Sequence, residues 1–98
     1  MKMTKAERIF RATLFRVEKH IENFGLEECK DTVFRMVHED NELLSTRTYN
    51  NIIKECEKYK NHKKNAYKYG IITKEDALTG YKAACIVQKS AEYCKNHK

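Results

Sequence analysis

Across 98 residues the chain contains no proline and only three glycines, Gly25, Gly70 and Gly80. A sheet protein of this length needs turn punctuation about every ten residues, and Gly and Pro supply most of it. Without it the chain reads as long helices with few breaks, and its wealth of Lys, Glu and Ala agrees. The expectation is an all-α fold: a compact bundle of about four helices, over residues 5–24, 26–38, 46–69 and 74–96, in one domain spanning 1–98. Such a chain buries between roughly 60 and 70% of its unfolded surface, enough for one modest core.

The helix ends carry their own signals. Thr4-Lys5-Ala6-Glu7 is a capping box, and Gly25 supplies the left-handed stop twenty residues later. Between them Ala6, Ile9, Phe10, Leu14, Val17, Ile21 and Phe24 recur at helical spacing as the buried face. The 26–38 segment places Glu27, Glu28 and Asp31 early and Arg35 and His38 late, the order that the helix dipole favours. Its apolar face is Leu26, Cys29, Val33, Phe34, Met36 and Val37. The polar run from His38 to Glu42 then makes a loop. Thr73-Lys74-Glu75-Asp76 makes a second box-like cap for the last helix, with Ala77, Leu78, Tyr81, Ala84, Cys85, Gln88 and Ala91 expected as its main face. Gly80, Ala83, Val87 and Cys94 flank that face with small side chains.

The stretch from Ser45 to Gly70 has two faces. At about 100° per residue, Tyr49, Ile52, Ile53, Cys56, Tyr59, Ala66 and Tyr67 share one side. Opposite them run Arg47, Asn50, Lys54, Lys58, Asn61, Asn65 and Lys68, with Lys64 beside them and Glu57 at the edge. Ser45 caps this helix, and Leu44 can staple onto Tyr49. Lys60 and Lys63 interrupt the apolar side. Either their stems lie over the core with ammoniums in water, or the helix outruns the bundle; the length of the 46–69 span, about 36 Å, favours a projecting or frayed second half.

Charge is unevenly spread. Residues 1–45 hold eight Lys/Arg against nine Asp/Glu, for −1, and residues 46–98 hold twelve against five, for +7. A basic half points to an acidic partner: nucleic acid, an anionic surface or an acidic protein. The stripe Arg47, Asn50, Lys54, Lys58, Asn61, Lys64, Asn65, Lys68 suits phosphates through its cations and base edges through Arg and Asn. Tyr59, Tyr67 and Tyr69 add rings on which unpaired bases can stack. The competing reading is a solvated helix face with tyrosines in the core.

A helix-turn-helix reading places Arg47, Thr48, Asn50 and Asn51 at base-contacting positions. Against it, the connection from Glu39 to Leu44 is long and lacks glycine, and the supposed recognition helix exceeds what a groove needs. Phe15 lies off the apolar stripe of its helix, beside Arg8, Ala12 and Lys19. It is either the anchor of a protein interface or a contact to a second neighbour in the bundle. Ile86 and Tyr93 stand in the same position on the last helix and suggest a homodimer seam.

Chemistry is sparse. The four cysteines, Cys29, Cys56, Cys85 and Cys94, form no Cys-x-x-Cys, and most fall on apolar stripes as small hydrophobes. Cys94 with His97 and Cys56 with His62 are the nearest soft pairs, too few for zinc. There is no Glu-x-x-His, no His-Glu-x-x-His and no Gly-rich phosphate loop. The expectation is no catalytic residue, no metal and no cofactor. The N-terminus has no apolar signal core and no run spans a bilayer, so a cytoplasmic protein without membrane contact is expected.

Lys, Asn, Ile and Tyr, all with A/T-rich codons, outweigh Arg, which numbers five against fifteen Lys. In size, composition and lack of chemistry the chain is similar in character to small accessory proteins of low-GC bacteria and their phages, anti-defence inhibitors such as anti-CRISPRs among them. No motif carries that similarity. The function expected is a non-enzymatic regulatory or inhibitory binding protein that sets its basic helix on an acidic protein or nucleoprotein complex. The alternative is direct binding of DNA or RNA in transcription regulation.

Overall fold

A computed structural model describes residues 3–25 and 44–96, which form three helices and no strand: α1 (Lys5–Phe24), α2 (Thr46–Lys68) and α3 (Lys74–Asn96). The all-α expectation holds for these residues. The helix expected over 26–38 lies outside the described residues, as do the loop after it and Cys29.

Each helix begins where a hydroxyl takes an orphan backbone N–H. Thr4 Oγ1 accepts from the Glu7 amide at 3.1 Å, Ser45 Oγ from Thr48 at 3.2 Å and Thr73 Oγ1 from Asp76 at 3.2 Å. The α1 stop is Gly25, whose φ of 87° is open to glycine at little cost. α2 ends in a Schellman turn: Gly70, at φ 73°, donates to Tyr67 O, and Ile71 donates to Ala66 O at 2.9 Å.

The core is a contiguous cluster drawn from all three helices and Leu44. Phe10, Leu14 and Val17 come from α1, Tyr49, Ile52 and Cys56 from α2, and Ala83, Ala84, Val87, Ala91 and Cys94 from α3. Burying one large apolar side chain is worth about 1.5–3 kcal/mol, so these few residues hold α1 onto the other two helices. α2 and α3 are the most extensively paired, because the α3 face turned to the core is mostly Gly, Ala, Ser and Cys, with Ile86 and Val87, and lets the backbones approach. Leu44 and Tyr49, the expected staple pair, are both buried in the core cluster.

The buried face of α3 is rotated from the expected one. Gly80, Ala83, Ala84, Val87, Ala91 and Cys94 form its centre, whereas Leu78 and Tyr81 are exposed. The expected flank is therefore the seam. Hydrophobicity weighted Leu and Tyr as interior, but close packing against α2 selects the small residues. Ile86 is buried, so it cannot share an exposed dimer seam with Tyr93, which remains exposed. Phe24 and Tyr67, both expected inside, are also exposed. Each stands in the final turn of its helix; Phe24 packs on the His20 ring at 4.9 Å.

α2 does not project or fray. It is helical through Lys68, and Lys60 and Lys63 snorkel. The Lys63 stem lies over Gly80 of α3, and its ammonium stands 5.3 Å from the Tyr59 ring. Lys60 Nζ sits 5.7 Å from the Tyr81 ring. Gly80 makes this docking feasible, since its missing side chain leaves the space that the lysine stem fills.

Candidate binding surface

The caps and the apolar face of α2 fix which way its other side points. With Tyr49, Ile52, Cys56 and Ala66 buried, Arg47, Asn50, Lys54, Lys58, Asn61, Lys64, Asn65 and Lys68 are all exposed. From Arg47 to Lys68 the stripe runs about 32 Å at the helical rise.

Its members are unequally engaged. Lys58 Nζ lies 3.4 Å from Glu55, an i,i+3 pair whose lysine is largely in water, so it contributes little to stability. Lys68 stands over the Tyr69 ring at 6.0 Å. Asn50 Oδ1 accepts from Lys95 Nζ at 3.0 Å. Lys95 belongs to α3, so the cationic face extends onto a second helix. Nothing in the sequence joins positions that far apart.

The four helix-turn-helix positions are not equivalent either. Arg47 and Asn50 are exposed, but Thr48 and Asn51 are half-buried. The Thr48 hydroxyl is spent on Ser45 Oγ at 2.9 Å, and the Asn50 amide on Lys95. The first helix of that motif lies outside the described residues.

On α1, Phe15 is 61% exposed, and Arg8, Ala12 and Lys19 are exposed around it. Lys19 Nζ lies 5.7 Å from the Phe15 ring and 3.9 Å from Glu22. No second neighbour among the described residues covers this ring. A shallow depression lies between Lys5, Arg8, Ile9 and Ala12 on the same helix.

Phe10, Arg11 and Leu14 of α1 and Glu55, Lys58, Tyr59 and His62 of α2 line an open groove of ≈ 370 Å³. Of the expected site residues, Lys58 alone borders this groove between α1 and α2. Arg11 and His62 were not legible as site residues. The available signal was that Arg11 precedes Phe15 by four residues and so shares its helix face.

Inside the core, the Cys56 thiol is pushed up to about 12 by burial, against the opposing Lys60 ammonium. Burial likewise raises Cys94 and Tyr49. Cys56, Cys85 and Cys94 are free thiols. Cys56 is buried while His62 is exposed, so that pair does not converge; His97, the partner considered for Cys94, lies outside the described residues. Among the described residues no three His, Cys, Asp or Glu side chains gather as metal ligands, and no helix is long and apolar enough to cross a membrane.

No protein-family model matches the chain, and searches of curated proteins and of solved structures return no match.

Proposed function

We propose that the chain is a small non-enzymatic regulatory protein, of inhibitor type, that sets the basic face of α2 on an acidic or nucleic-acid-handling protein partner. One observation carries this reading. Eight cationic and amide side chains from Arg47 to Lys68 stand exposed on a helix whose opposite side is committed to the core. Most of these side chains have no packing role within the described chain, yet they concentrate one sign of charge along a line. Such a field steers association with an acidic surface and suppresses wrong partners. The exposed Phe15 supplies the kind of aromatic anchor that a protein interface uses and a phosphate backbone does not need.

A second reading, direct binding of DNA or RNA, is favoured by Asn61 and Asn65 among the lysines and by the exposed rings of Tyr67 and Tyr69. Titration with duplex DNA, single-stranded DNA and RNA at two salt concentrations separates the two. The protein reading expects weak binding to all three, together with a partner complex lost on charge reversal at Lys54 and Lys58. Tight binding that falls steeply with salt replaces it by the nucleic-acid reading.

A further inference from the structure

The groove between α1 and α2 combines two chemistries. Phe10, Leu14 and Tyr59 form its floor, with Phe10 and Tyr59 in edge contact at 5.9 Å. Arg11 from one helix and Lys58 and His62 from the other stand on its walls.

Its acids are already engaged. Glu55 lies 3.4 Å from Lys58, and Glu18, next to the groove, accepts the Tyr59 hydroxyl at 2.6 Å. Arg11 is exposed and has no ion pair among the described residues.

Such a site discriminates by composition. A bare polyanion meets the walls and leaves the apolar floor wet. A purely apolar helix covers the floor and strips water from Arg11 and Lys58 without compensation. A segment carrying both carboxylates and a large apolar side chain satisfies floor and walls together, and the Arg11 fork can take one carboxylate through two parallel hydrogen bonds.

We infer that this groove is the docking site for an acidic segment of a protein partner. One aliphatic or aromatic side chain of that segment rests on Phe10, Leu14 and Tyr59, and its Asp or Glu side chains meet Arg11, Lys58 and His62. This deepens the proposed function and rests on its premise of an acidic protein partner.

The test titrates the full ¹⁵N-labelled chain with a short synthetic peptide of repeating Glu-Leu-Asp-Phe, and in parallel with poly-glutamate. The expected result is amide shifts centred on Arg11, Leu14, Tyr59 and His62, with poly-glutamate binding more weakly. Arg11→Glu and Lys58→Glu, exposed substitutions on different helices, should each weaken the peptide by about tenfold. Shifts confined to Lys54, Asn61, Lys64 and Lys68 with silent groove amides overturn the groove and leave the basic-face reading standing. Poly-glutamate binding as tightly as the peptide, or displacement of the peptide from the groove by single-stranded DNA, also overturns it. No shift anywhere on the chain removes both readings.

Discussion

Tyr59 donates its phenolic hydrogen to Glu18 Oε1 over 2.6 Å, joining α2 to α1 beside the edge-to-face contact of its ring with Phe10. The acceptor is a carboxylate and the site is partly buried, which places the bond among the stronger ones. Tyr59→Phe keeps the ring and removes the bond. It should lower unfolding stability by about 1–2 kcal/mol, toward the low end because water reaches the site. Adding Glu18→Gln should cost much less in that background than alone, as a double-mutant cycle by denaturant titration will show.

Alkaline pH should lower the stability of the fold. The Cys56 thiol ionises at about 12 when folded, against an ordinary value of 9.0, because burial disfavours the thiolate. An acid raised by folding stays protonated while the unfolded chain ionises, so its contribution is complete below pH 9 and is lost between 9 and 12. Tyr59, raised by burial and by its bond to Glu18, acts in the same direction above its ordinary value of 10.0. Thermal midpoints measured from pH 8 to 11 should therefore fall with rising pH, and Cys56→Ala should flatten the first part of that fall.

Gly80 sits beneath the Lys63 stem. A Cβ at this position would lie 2.8 Å from Lys63 Cε and 3.2 Å from Cγ. Gly80→Ala gains about 1 kcal/mol of helix propensity but displaces the lysine along most of its length. The single substitution should be close to neutral. In a Lys63→Ala background it should stabilise by about 1 kcal/mol, measured by chemical denaturation.

Phe10 and Phe15, on opposite sides of α1, should respond differently. Phe10 is 4% exposed and packs in the core, so Phe10→Ala should cost about 3–5 kcal/mol. Phe15→Ala should change stability by less than about 0.5 kcal/mol while lowering partner affinity. A large loss of stability on Phe15→Ala, read by circular dichroism melting, removes that residue from the interface.

Much of this architecture was legible from local rules. Thr4, Ser45 and Thr73 as caps, Gly25 as a stop, and the apolar face of α1 as far as Val17 all follow from the backbone needs of a helix end and from helical periodicity. The solvent-facing stripe from Arg47 to Lys68 followed from the same periodicity. The rotation of α3, by contrast, was not legible. Leu78 and Tyr81 outrank Gly80 and Ala83 in hydrophobicity, and the preference for small residues at a close helix crossing exists only once α2 is alongside.

By itself, the sequence determined where the described helices begin and end and which side of α2 carries charge, because capping, turn and periodicity are settled within a few residues of chain. Tertiary structure alone decided the face of α3 that is buried, the docking of the Lys63 stem over Gly80, and the reach of Lys95 to Asn50. It also decided the meeting of Arg11 with Lys58 and His62 in one groove. These depend on groups remote in sequence being brought within contact distance, and the strength of such contacts is set by shape and by distance in space.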